Sequence, residues 1–100
     1  MEASSELGSP YLSVVIPVFN EQENLVELQA RLAATLDEAG YDWEVIFVDD
    51  GSRDRSWEIL ESLHQVDGRV RLVRFNRNYG QHMAVFGGFE KVRGRVVATL

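Results

Sequence analysis

Asp49 and Asp50 stand side by side directly after the apolar run Trp43-Glu-Val-Ile-Phe-Val48. Two adjacent carboxylates repel unless a ligand or hydrogen-bond donors hold them. At the end of a buried strand such acids can accept hydrogen bonds from ribose hydroxyls or from the N–H of a base. The plainer alternative is an Asp-Gly turn with Ser52 capping the next helix. It accounts for Gly51 and Ser52 better than for the two acids, so ligand binding is favoured for the pair. Two other polar clusters have the same kind of placement, Val18-Phe-Asn-Glu-Gln22 and Asn76-Arg-Asn-Tyr-Gly80. Beside the first, Pro17 interrupts a strand ladder for want of an N–H, and Glu21 lies close to a helix start. The plainer reading of Glu21 is a carboxylate stabilised by the helix dipole. In the second cluster Arg77 either meets a diphosphate or is a solvated loop charge. Asn78 accompanies it, and Gly80 permits positive φ or close backbone approach. His82 is a cap-region residue or a polar ligand contact. Phe86-Gly-Gly-Phe89 falls inside a helix and reads as tight helix-to-sheet packing.

Several chemistries are excluded. The chain has 100 residues and no cysteine, so disulfides, thiolate catalysis and Cys-based zinc sites are absent. The first loop lacks G-x-G-x-x-G, and no G-x-x-x-x-G-K-[ST] occurs anywhere, so both standard nucleotide fingerprints fail. His64 and His82 lie far apart in sequence, which argues against a His-metal cluster. Charge is divided unevenly: residues 1–68 carry fifteen acids against Arg31, Arg53 and Arg55, whereas residues 69–100 carry seven basic residues against Glu90 alone. The basic third either meets phosphates or an anionic surface, or pairs with the acidic part.

The elements that must position these groups follow from periodicity. Leu12–Val18 and Trp43–Val48 read as strands buried on both faces. Between them Asn20 and Glu23 form a capping-box pattern, Leu25, Leu28, Leu32, Leu36 and Ala39 make an amphipathic stripe, and Gly40 closes the helix. A second helix is expected over 54–66, stopped by Asp67-Gly68, with Trp57, Leu60 and Leu63 on one face. Val70–Phe75 alternates as an edge strand would, a third helix runs over 81–92, and a fourth strand covers 95–100. This is α/β order, βαβαβαβ, and implies a Rossmann-like parallel sheet with ligand loops at the carboxyl ends of its strands. Residues 1–11 read as a flexible, acidic lead-in without a signal peptide, which places this segment in the cytoplasm. The abrupt end after the fourth strand marks the chain as a fragment.

Three stretches, Val14-Val-Ile-Pro-Val-Phe-Asn-Glu21, Val48-Asp-Asp-Gly-Ser52 and Asn76-Arg-Asn-Tyr-Gly-Gln-His82, together resemble family 2 glycosyltransferases of the GT-A fold. The likeness runs from Leu12 to Leu100 and points to the branch that acts on polyprenyl phosphates. It implies that residues 12–100 are the N-terminal, nucleotide-sugar-binding half of a GT-A domain. It further implies transfer of a sugar from a nucleotide-sugar donor, UDP-linked, to a polyprenyl (undecaprenyl) phosphate on the cytoplasmic membrane face. Pro17, Phe19 and Glu21 would line the nucleotide pocket, with Val48 and Asp50 at the base and ribose and Asp49 in support. The family often has Tyr at the position of Phe19; stacking survives that change and a hydroxyl hydrogen bond does not. Family members continue from the fourth strand into an Asp-x-Asp motif that holds Mg²⁺ or Mn²⁺. That motif, the acceptor site and membrane helices are expected after Leu100, so the hundred residues alone should be inactive. No nucleic-acid partner is implied, and a homo-oligomer is compatible. The competing readings are a non-catalytic nucleotide-binding α/β module and a nucleotidyltransferase, whose Gly-rich basic first loop Phe19-Asn-Glu-Gln22 does not match.

Overall fold

Apolar, β-branched runs separated by amphipathic stripes can bury their surface only as a layered sheet, and the computed structural model, which describes residues 10–100, has that form. In chain order the elements are β1 (Leu12–Val18), α1 (Leu25–Ala39), β2 (Trp43–Asp49), α2 (Ser56–Val66), β3 (Val70–Arg74), α3 (Gln81–Phe89) and β4 (Val96–Thr99). All strand pairs are parallel and the order is β3-β2-β1-β4. The chain thus builds outward from β1 to β3 and then returns to the other side of β1. Crossovers are right-handed as a rule, so helices made before and after such a reversal fall on opposite faces. Accordingly, Leu25, Leu36 and Leu60 of α1 and α2 join Val14, Phe47 and Val70 in one core, while Ala84 of α3 meets Val15, Ile46 and Val48 on the other face. The reversal lies at β1, where a crevice opens beyond the strand ends.

The expected α/β class and parallel sheet are present, and β3 is at an edge as its alternation suggested. Pro17 lies in an inner strand beyond the last β1 residue that pairs with β4 among the described residues, Val15. The glycine pair in α3 is close packing: a Cβ at Gly88 would sit 2.3 Å from Val15 Cγ1, and one at Gly87 2.8 Å from Phe75 Cζ.

Element starts differ from expectation. The helix α1 begins at Leu25, and Asn20 takes a left-handed φ of 55° instead of capping it. Glu23 therefore completes no capping box. The second helix begins at Ser56 rather than 54, and Ser52 does not cap it. In both cases the polar side chains bond across to the other loop, as described below. The helix α3 ends at Phe89 rather than Val92, because Lys91 and Val92 turn back onto Gly88 and Phe89 carbonyls. Ala39 is exposed at the end of its stripe, whereas Gly40 closes α1 at φ 82° as expected. The expected lead-in over residues 1–9 lies outside the described residues. Tyr11 donates its N–H to Asp42 and accepts from Arg95 and Val96.

A charge sits inside β2. Glu44 is 1% exposed and accepts from the Ser13 hydroxyl, Arg71 at 2.8 Å and both the N–H and the side chain of Arg93. Burial raises its pKa, but these donors outweigh burial and hold the carboxyl below its usual range. With Arg69 bridging Asp37 and Asp67, this cluster pairs part of the basic third with the acidic part.

Candidate functional site

Each of the first three strands ends in a polar loop, and the sheet brings those loops together. We denote residues 19–24 as loop 1, 50–55 as loop 2 and 75–80 as loop 3. Loops 1 and 2 are laced by reciprocal hydrogen bonds. The N–H groups of Asn20, Glu21 and Gln22 donate to Ser52 Oγ, Ser56 Oγ and Asp54 Oδ2 at 2.9, 2.9 and 3.2 Å. In return, the N–H groups of Arg53 and Arg55 donate to Asn20 Oδ1 and Gln22 Oε1, each at 2.8 Å. Burial lifts the pKa of Asp54, but hydrogen bonds from Ser56 and Gln22 prevail and lower it. The residues that read as helix caps are therefore loop connectors.

Asp50 joins loop 2 to loop 3. Its Oδ1 accepts from Tyr79 N–H at 2.7 Å, and its Oδ2 accepts from Asn78 Nδ2 at 3.0 Å and Gly80 N–H at 2.9 Å. The residue is 2% exposed. Gly51 makes this closeness possible: it has φ +75°, and a Cβ there would lie 2.3 Å from the carbonyl carbon of Arg77. Gly80, at φ 103°, supplies the turn into α3.

Around this junction lies a cavity of about 440 Å³, floored by Ile16, Val18, Leu25 and Leu28 and rimmed by polar groups. Of the nine residues expected to bind a ligand, Pro17, Phe19, Glu21, Asp50, Asn78 and Gly80 line it. Phe19 is 42% exposed at the rim and presents an aromatic face. Glu21 is exposed, and its Oε1 accepts from Asn24 Nδ2 at 3.0 Å. Val48 is fully buried against Val15 and Ala84, behind the cavity wall. Asp49 is 0% exposed; its Oδ1 accepts from Ser52 N–H at 3.1 Å, and its Oδ2 has no hydrogen-bond partner. Arg77 lines an adjoining groove instead. His82 is exposed on α3. Asn24 and Gln81 also line the cavity and were not singled out from the sequence. Their only signal was proximity to Glu21 and Gly80.

An apolar floor, an exposed ring and a few fixed acceptors suit a flat, polar-edged ligand such as a nucleoside. A divalent metal is less well served. Among the described residues no three His, Cys, Asp or Glu side chains lie together as a possible metal-holding group, and both carboxylate oxygens of Asp50 are engaged by loop 3.

Comparison with known proteins identifies the family and the fold. The description "Glycosyl transferase family 2" matches residues 13–100. The chain is 53% identical over 90 residues to an undecaprenyl-phosphate 4-deoxy-4-formamido-L-arabinose transferase of Pseudomonas fluorescens (strain SBW25), covering 89% of this chain and 26% of that protein. It is 52% identical over 91 residues to the enzyme of the same name from Edwardsiella ictaluri (strain 93-146), covering 90% and 28%. The chain thus spans about a quarter of the length of these curated relatives. Among solved structures, S. aureus TarS 1-349 in complex with UDP superposes with a TM-score of 0.75 at 23% identity, covering 90% of this chain and 26% of that one. The mannosyltransferase PcManGT from Pyrobaculum calidifontis, in complex with GDP-Man and Mn²⁺, gives 0.72 at 22% identity, covering 89% and 26%. These two likenesses establish the shared GT-A-type fold.

Proposed function

Since the chain belongs to glycosyl transferase family 2, we propose that its cavity holds the nucleotide of a sugar-nucleotide donor, UDP-linked, for transfer to undecaprenyl phosphate. The observation that carries this reading is the convergence of Pro17, Phe19, Glu21, Asp50, Asn78 and Gly80 on one cavity at the point where strand order reverses. Residues 12–100 are then the donor-binding part of a GT-A domain. Phe19 stacks on the base and Glu21 accepts from a ribose hydroxyl or base N–H. A carboxylate offers about four acceptor positions, and loop 3 occupies three on Asp50. Asp50 thus holds the wall and keeps one acceptor for the ligand. Val48 and Asp49 act from behind, as packing and as the anchor of the loop 2 turn.

The names of the relatives support undecaprenyl phosphate as the acceptor, and the complexes of TarS and PcManGT support a sugar-nucleotide donor. Mg²⁺ or Mn²⁺ belongs to this proposal for the whole protein, with ligands outside these residues. Its chemistry would be to offset the charge of the donor diphosphate as the sugar departs. No helix among the described residues is long and apolar enough to cross a membrane; membrane attachment on the cytoplasmic side is assigned to further sequence.

The test is transfer of radiolabel from UDP-sugars to lipid in membranes of cells expressing the intact gene. Labelled undecaprenyl-phosphate sugar is the expected product. Label found only in a water-soluble acceptor would reject the lipid assignment.

A further inference from the structure

Arginine on this chain falls into two groups. Arg31, Arg55, Arg69, Arg71 and Arg93 each hold a carboxylate at 3.1 Å or closer. Arg53, Arg74, Arg77 and Arg95 do not. Among the described residues Arg53, Arg77 and Arg95 make no ion pair, and Arg74 Nε stands 4.0 Å from Asp49 Oδ2. Shortage of acid does not explain this, because the chain has sixteen acids and a net charge of −6. Three of these exposed arginines, Arg53 from loop 2 and Arg74 and Arg77 from the end of β3 and loop 3, line one groove of about 600 Å³ between loops 2 and 3, and Arg95, immediately before β4, does not. Among the described residues Asn78 alone lines both this groove and the donor cavity.

Two of the three cations in the groove rest on aromatic rings, and the backbone of the third is anchored. Arg53 N–H is fixed on Asn20 Oδ1 at 2.8 Å. The backbone of Arg77 is pressed against Gly51, and its guanidinium lies 5.0 Å from the centre of the Tyr79 ring. The guanidinium of Arg74 lies 4.9 Å from the centre of the Trp57 ring. Stacking on an aromatic face leaves a guanidinium's in-plane donors free. Like charges gathered on one concavity repel unless an anion joins them, and planar donor forks match phosphate oxygens in pairs. We infer that this groove is a second anion site, one that takes the phosphate group of a phosphomonoester, separate from the donor cavity. Such a group can belong to a lipid headgroup or to free phosphate.

The experiment is calorimetry on the full-length protein in a non-ionic detergent, titrated separately with inorganic phosphate and with dihexanoyl phosphatidic acid. Saturable binding of phosphate that weakens about tenfold or more in the Arg53→Gln, Arg74→Gln double variant supports a site open to free phosphate. Binding of phosphatidic acid alone, with the same loss, supports the site with a headgroup as its source. A control pair, Arg31→Gln with Arg55→Gln, removes equal charge elsewhere and should leave binding unchanged. Equal weakening in the control, no saturable binding of either probe, or a parallel loss of UDP affinity in the double variant would each overturn the inference.

Discussion

Asp50 is a single carboxylate that holds loop 3 and, in the proposed function, also meets the ligand, and the balance between the two sets what its loss does. Three donors of loop 3 end on it inside a nearly closed environment. Truncation leaves them without an acceptor, at about 1–3 kcal/mol for each donor that water cannot reach. Asp50→Ala should therefore weaken UDP-sugar binding to the full-length protein by about tenfold or more and lower its melting temperature. Unchanged affinity by calorimetry would remove Asp50 from the site. Glu44 lies at the opposite end of β2 and acts on stability alone. Its folded pKa is depressed, so its contribution is complete above the unfolded glutamate value of about 4.3. That contribution fades as pH falls through the lower folded value. Glu44→Gln should destabilise the protein near neutral pH and flatten this part of the acid dependence in urea titrations. A variant as stable as the parent at pH 7 would contradict the role.

At the scale of elements, helix starts are governed here by partners distant in sequence. Asn20 and Ser52 are good capping residues, yet their side chains bond between loops 1 and 2, and Asp54 divides its carboxylate between Ser56 N–H at the start of α2 and Gln22 N–H of loop 1. A local pattern cannot reveal this, because the competing partner lies some thirty positions away and arrives only when β1 and β2 pair. Helix-to-sheet packing was more legible, since two adjacent glycines weaken an apolar helix unless the missing side chains make room for a close neighbour. Gly88→Ala places a methyl group 2.3 Å from Val15 Cγ1 and 3.1 Å from Val48 Cγ2. Overpacking of this kind costs about 1–3 kcal/mol, which urea denaturation at constant slope should register. A midpoint shift of nearly zero would mean that α3 can move away from β1 freely.

At the scale of the whole molecule, the sheet gathers three loops at one end and leaves the ion cluster of Glu44 at the other. Binding and structural charge are thereby kept apart. The proposed Mg²⁺ or Mn²⁺ has its ligands outside these residues, and no group of three metal-ligating side chains lies among the described ones. Chelation with EDTA is expected to abolish sugar transfer by the full-length enzyme, and Mg²⁺ or Mn²⁺ to restore it, while Asp49→Asn leaves the metal requirement in place. Transfer that persists fully in EDTA would refute the metal assignment.

Periodicity and composition alone determined the α/β class, the number and order of the elements, the edge position of β3 and the three loops that meet. Buried parallel strands and amphipathic helices have few other ways to hide their apolar faces. The family was legible too, since three short motifs recur in order over nearly the whole chain. Tertiary structure decided which polar residue serves which partner. It put Asp49 and Val48 behind the cavity wall, turned the cap-like residues into loop connectors, and placed Arg77 with Arg53 and Arg74 in a groove of its own. It also exposed the buried charge of Glu44 as a paired one. The physical reason is that apolar burial repeats along the chain with a readable period, whereas a hydrogen bond or ion pair depends on one partner that folding brings from far away.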